Sequence, residues 1–183
     1  MFPALIFLVI VITSSKIFYY IKLFGSFRRN TFVSMQRLNF PNFKFRFKNS
    51  ENKLAIFDVV RKKFILLTPE EWVRQHVVHD LIYSKNFPIS LINVEKVIKI
   101  NDLVKRYDVV VFKPNGSIHL LIECKAPQIK ITQETFNQIA RYNLELQADL
   151  LFITNGLEHY PCKMDYEQQN YIFLKKLPNY DEL

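Results

Sequence analysis

Hydrophobic and polar positions fall into distinct patterns along this chain. From Phe2 to Ile12 nearly every position is apolar; Thr13-Ser14-Ser15-Lys16 interrupts the run and Ile17 to Ile21 resumes it. Residues 43–48 instead alternate strictly: Phe43, Lys44, Phe45, Arg46, Phe47, Lys48. A period of two predicts an edge strand with one apolar and one solvated face. Basic-aromatic interleaving also suits nucleic acid, through phosphate contacts and stacking; the two-faced strand is the favoured reading. Short strands are expected at Leu54 to Phe57 and Phe64 to Leu67, with Arg61-Lys62-Lys63 as a solvated turn between them.

Helical spacing takes over after Thr68. Thr68 is placed as an N-cap, Pro69 fits the first helical position and Glu71 completes a capping box, so a helix is predicted over Pro69 to Tyr83. Trp72, His76, His79 and Tyr83 form one row, and Val73, Val77 and Leu81 a neighbouring one, which implies a helix covered on more than one side. Three strands follow, at Leu91 to Ile100, Tyr107 to Lys113 and Ser117 to Lys125. A second helix is expected over Ile131 to Leu146 with Thr132 as its cap. Short strands at Leu150 to Ile153 and Tyr171 to Leu174 complete the series. This order predicts an α/β fold with a mixed sheet and helices packed on it.

Composition narrows the class. In 183 residues, 49% are apolar and 23% charged, with three Gly and two Cys. Disordered, fibrous and disulfide-scaffold proteins are excluded. Cys124 and Cys162 allow at most one bridge, which fits a reducing, cytoplasmic setting. The net charge is +8. Half of it lies in residues 1–34, where Lys16, Lys22, Arg28 and Arg29 face no acid, leaving 21 basic and 17 acidic side chains in the rest. The body is therefore only mildly basic.

Residues 1–34 read as an apolar N-terminal extension and residues 35–183 as the domain. The first apolar run is about half the roughly 20 residues a spanning helix needs, and Lys16 interrupts any longer one. No basic side chain precedes the run, so it is not a secretory signal. A translation start at Met35 is favoured, a weak membrane anchor is the lesser alternative, and a membrane partner is not expected.

The chemistry concentrates in Arg106-Tyr107-Asp108-Val109-Val110-Val111-Phe112, Pro114-Asn115-Gly116-Ser117 and Leu120-Leu121-Ile122-Glu123-Cys124-Lys125. Asn-Gly between apolar runs predicts a two-residue hairpin loop, which sets Pro114 against Ser117 and Asp108 against Glu123. Opposed carboxylates repel, and an apolar setting makes this worse. A hard divalent cation relieves them; Mg²⁺ commonly takes one or two carboxylates plus substrate phosphate. Strand alternation puts Lys125 on the Glu123 face and sends Cys124 to the other. Such a site can hydrolyse a phosphodiester, the metal activating a water and Lys125 stabilising developing charge. The plainer reading is a Lys125 ion pair, which the matching Asp108 makes less economical.

Asp108 followed by Glu123-Cys124-Lys125 resembles the PD-(D/E)XK nuclease superfamily. The wider string resembles the N-terminal nuclease domain of type I restriction enzyme R subunits, in a stand-alone bacterial version. It is carried by Phe57-Asp58-Val59-Val60-Arg61-Lys62-Lys63, Leu67-Thr68-Pro69-Glu70-Glu71-Trp72-Val73-Arg74-Gln75, Ile122-Glu123-Cys124-Lys125-Ala126-Pro127 and Gln138-Ile139-Ala140-Arg141-Tyr142-Asn143, spanning about residues 54–178. The resemblance implies a restriction-endonuclease-like core and a DNA endonuclease. Its cofactor would be Mg²⁺, with Mn²⁺ as the alternative, at Asp108 and Glu123. Lys125 and Gln138 join the catalytic set. Tyr142, one turn beyond Gln138, and Glu71 and Glu95 are accessory candidates, the last two with plain alternatives as a capping glutamate and a solvated strand charge. Tyr107 replaces the family's usual Pro before the Asp. No Gly-rich phosphate loop occurs, so ATP-driven translocation would need another polypeptide. Expected partners are DNA and a second copy or an accessory subunit. A non-cleaving DNA-binding or assembly module on the same fold is the alternative. His76 and His79 have zinc-compatible spacing but no further ligand nearby, and are read as structural.

Overall fold

The computed structural model describes residues 6–12, 17–23, 32–50, 53–100 and 103–182, with backbone alone through residue 34. Strands β1 (Ile6–Ile12), β2 (Ile17–Leu23) and β3 (Phe32–Gln36) form an antiparallel sheet in that order. The apolar runs of the N-terminal extension are thus strands. β3 crosses the 34/35 boundary drawn from composition, and Met35 within it is buried in the core. Among the described residues no helix is long and apolar enough to cross a membrane. Lys16, Arg28 and Arg29 lie outside the described residues.

A second antiparallel sheet contains β4 (Phe47–Ser50), β5 (Lys53–Asp58) and β6 (Lys63–Leu66). The main sheet has the order β12-β11-β10-β9-β8-β7. Its strands are β7 (Ile92–Ile100), β8 (Leu103–Phe112), β9 (Ile118–Cys124), β10 (Leu150–Thr154), β11 (His159–Asp165) and β12 (Asn170–Phe173). All neighbours pair antiparallel except β9 and β10. That parallel pair needs a long crossover, which helix α2 (Gln133–Leu146) supplies. The result is the α/β architecture read from the sequence, a mixed sheet with a helix on each face.

Helix α1 (Pro69–Tyr83) covers one face. Its Val73, Val77 and Leu81 row meets Val109, Leu120, Ile122 and Phe152. The Trp72, His76 and His79 row meets the chain before β4: the Phe45 ring lies 5.0, 4.7 and 4.5 Å from those three rings. Both rows are therefore buried, as two-sided covering requires. Burial pushes the His76 pKa down to about 4 and lowers that of His79. Their Nδ1 atoms pair with the carbonyls of Trp72 and Gln75, which suits neutral, structural histidines. On the other face, Phe136, Ile139 and Ala140 of α2 meet Val110, Leu121, Leu151 and Ile153. Covered on both sides, β8 to β10 read as continuous apolar runs.

Two local expectations need correction. Lys113 N donates to the Ser117 carbonyl at 2.8 Å and Gly116 N to the Lys113 carbonyl at 2.9 Å. Gly116 takes φ +85°, the left-handed region where glycine has no steric penalty. The β8–β9 loop is thus three residues, Pro114-Asn115-Gly116, not two. Phe112 accordingly pairs with Ile118, one step off, and an irregularity at His119 restores the register, so that Val111 faces Leu120 and Val109 faces Ile122. Two offsets cancel before Asp108 is reached. Secondly, β11 forms where no strand was expected. Pro161 and the charged Lys163 disguise it, but Pro161 needs only an acceptor role there, and its carbonyl accepts from Leu174 N at 2.8 Å.

Candidate active site

Glu95, Asp108 and Glu123 follow one another across three neighbouring strands, but not on one face as alternation predicts: Glu95 and Asp108 turn to the arginines of the α1 side and Glu123 to the α2 side. The pairs Val94–Val109 and Lys96–Tyr107 bracket Glu95 opposite Asp108, and the Val109–Ile122 pair puts Glu123 at the next position on the other side. The regular ladder breaks here: Glu95 has φ +52°, a conformation uncommon for a side-chain-bearing residue. Asp108 Oδ2 accepts the Cys124 backbone N–H at 2.7 Å. That bond fastens β8 to the end of β9 and holds Asp108 beside the Glu123-Cys124-Lys125 segment. Cys124 itself is buried in the α1-side core, as alternation requires.

On the α1 side a dense ionic network forms. Arg74 Nη2 lies 2.7 Å from Asp108 Oδ1 and 2.9 Å from Glu70, while Nη1 binds Glu71. Arg61 binds Asp58 and Glu71, each at 2.8 Å, and also Glu95. Gln75 Nε2 donates to Asp58 at 2.8 Å and Glu71 at 2.9 Å. Two guanidinium groups, with side chains only 6% and 12% exposed, thus serve five carboxylates. Burial pulls the Arg74 pKa down, but the charges of Asp108 and Glu71 outweigh it and leave it raised. For Glu71, burial dominates over its cationic neighbours and raises the pKa.

Arg61 is therefore no solvated turn residue, and Glu71 is no capping-box glutamate. Thr68 Oγ1 does accept the Glu71 N–H at 3.0 Å, but the Glu71 carboxylate turns to the arginines instead. Glu95 likewise is tied to Arg61, with Arg106 at 3.7 Å, rather than solvated. Arg74 and Asp58 were missed in the sequence. The signal for Arg74 was its place three residues after Glu71, on the same helical face.

On the α2 side the sheet opens into a cleft of about 360 Å³ lined by Lys105, Glu123, Lys125, Thr135, Gln138 and Tyr142, among others. Gln138 and Tyr142, at i and i+4 on α2, both reach it. Lys125 Nζ donates to Glu123 Oε1 at 2.9 Å. Burial, then the charge of Asp108, raise the Glu123 pKa against the effect of Lys125. For Lys125, burial works downward, but the Glu123 hydrogen bond and charge leave the pKa raised and the amine protonated at neutral pH. Lys105, also missed in the sequence, holds its ammonium 4.3 Å from the Tyr142 ring centroid and 5.0 Å from that of Tyr107.

The expected residues thus divide: Glu123, Lys125, Gln138 and Tyr142 share the cleft, while Glu71 and Glu95 belong to the α1-side network. Asp108 links the two through the sheet. A family model described as type I restriction enzyme R protein N terminus (HSDR_N) matches residues 69–178. A search of curated proteins found no match. The family match spans more than half of the chain, and the chain belongs to that family, which sits within the PD-(D/E)XK nuclease superfamily.

Proposed function

We propose that this domain is a metal-dependent DNA endonuclease that hydrolyses phosphodiester bonds in the α2-side cleft. The observation that carries this reading is the convergence of Glu123, Lys125 and Gln138 in one cleft, with Asp108 on the neighbouring strand, tied by its Oδ2 to the Cys124 N–H. Asp108 and Glu123 would hold Mg²⁺, or Mn²⁺ in its place. The donor set fits: both are carboxylates, and the raised pKa of Glu123 marks an anion in need of a counter-charge. Among the described residues no group of three or more His, Cys, Asp or Glu is arranged for a metal, but Mg²⁺ needs only one or two carboxylates when waters and substrate phosphates complete its shell.

When bound, the ion supplies phosphoryl polarisation and a water of lowered pKa. The protein's own groups do the rest. Lys125, charged and held by Glu123, donates to a phosphoryl oxygen as negative charge develops there. The Gln138 amide orients the attacking water or the phosphate. Lys105, backed by two aromatic rings, neutralises a neighbouring phosphate of the same strand. Glu71 and Glu95 act at a distance, by fixing the arginine that fixes Asp108. In this reading the setting is cytoplasmic, and a second copy or an accessory subunit supplies specificity; any ATP-driven movement would need a motor outside these 183 residues.

One observation favours a second reading, a non-cleaving DNA-binding or assembly module. Both Asp108 oxygens are already engaged, by Arg74 and by the Cys124 N–H. Plasmid cleavage by the full chain separates the two. With Mg²⁺ or Mn²⁺, wild type is expected to nick or linearise DNA, and EDTA, Asp108→Ala and Lys125→Ala each abolish this. A folded wild type that leaves plasmid intact with either ion supports the module instead.

A further inference from the structure

Residues 44–66 lie outside the family match, and the cleft does not use them. The second sheet buries Leu54 and Ile56, together with the Phe45 and Phe47 rings, against the core. Its opposite face is exposed. Register puts Arg46 and Phe64 on either side of Phe57, and Lys48 and Leu66 on either side of Ala55. Lys53 extends the same face of β5, and Lys44 precedes Arg46 in the same alternation. Among the described residues, every charged side chain on this face is a cation. The face also carries rings: Phe64 is 39% exposed, the Arg46 guanidinium lies 3.6 Å from the Phe57 ring centroid, and the Lys48 ammonium lies 6.0 Å from that of Phe64. The solvated half of the basic-aromatic alternation is thus completed by aromatic residues from the neighbouring strands.

We infer that this sheet face is a track for single-stranded DNA, with Phe64 and the Arg46–Phe57 stack as platforms for bases and Lys44, Lys48 and Lys53 as phosphate contacts. Phosphates require cations, and unpaired bases stack on rings and guanidinium planes with little sequence preference. A duplex hides its bases from such platforms, which favours a single strand. The face is joined to the α1-side network: Phe57 precedes Asp58, and the turn after it carries Arg61, which grips Glu71 and Glu95. The inference rests on the nuclease reading only for its choice of DNA.

Binding of a labelled oligothymidylate to the full chain, followed by fluorescence anisotropy in EDTA across a salt series, tests this without cleavage. Wild type should bind it more tightly than a duplex of equal length. Phe64→Ala should weaken binding about 5- to 150-fold, the range found for one base–aromatic stack. Lys48→Ala/Lys53→Ala should lower the salt slope by about 1.4, about 0.7 per phosphate contact. All three side chains are exposed, and melting temperature confirms folding. Duplex preference, no binding by wild type, or wild-type affinity in both variants would overturn the track. Binding that both variants weaken, in a protein that never cleaves plasmid, would uphold the track while removing the nuclease.

Discussion

The two helices flank the same sheet yet treat their polar residues in opposite ways. α1 buries an unbroken stretch from Glu71 to His79, and its Glu71, Arg74 and Gln75 are consumed in hydrogen bonds and ion pairs. α2 buries one side only and leaves Gln138 exposed at the rim of the cleft. A buried, multiply bonded network fixes geometry, even with Arg74 Nε and Gln75 Oε1 left without partners; an exposed group such as Gln138 has donors left for a ligand. The α1 side is accordingly the scaffold of the site and the α2 side its working face, with Asp108 belonging to both.

Removing Arg74 should break this division most severely. Arg74→Met leaves Glu71 and Asp108 partly uncompensated in a buried setting, and breaking a buried ionic group in this way costs about 3–5 kcal/mol. Urea denaturation should show a loss of that size. Lys125→Ala should do the reverse, costing about 10²- to 10³-fold in cleavage rate while stability changes by less than about 1 kcal/mol, because its side chain is 30% exposed. Gln138→Ala sharpens the contrast. One lost hydrogen bond to a charged group is worth about 1.5–3 kcal/mol, roughly 10- to 150-fold in rate, with no change in melting temperature.

The smallest effect is on stability and depends on pH. Burial raises the Glu123 pKa in the folded state, so its contribution to stability is fully present below the unfolded-state pKa and is lost as pH rises through the folded value. Towards neutral pH the cost of that shift weighs on the folded wild type. Glu123→Gln should therefore melt higher than wild type at pH 7.5 in EDTA, and the gain should vanish towards pH 4. A constant difference across that range would show that Glu123 ionisation is not disfavoured.

The working face was more legible in the sequence than the scaffold. Glu123 and Lys125 alternate at the end of β9, and Gln138 and Tyr142 lie on a helix with a clear apolar side, so period brings these four to one cleft, whereas Asp108 turns to Arg74 on the α1 side. The hairpin loop was misjudged by one residue, but the irregularity at His119 compensated, and the ladder returns to the expected register as far as Val109–Ile122. Arg61 and Arg74 were hidden for a physical reason. A guanidinium buried among five carboxylates has no periodic signature, since its partners come from β5, β7, β8 and the first turn of α1. β11 was hidden because the flanking strands supply the hydrogen bonds and apolar cover that its own residues do not advertise.

The most direct measurement is a Mg²⁺ titration of the full chain by calorimetry at pH 7.5, wild type beside Asp108→Asn and Glu123→Gln. Saturable binding by the wild type that both variants lose would place the ion at the junction of scaffold and working face, as proposed. Binding that survives in both variants, or no binding by a folded wild type, would contradict a metal site at Asp108 and Glu123.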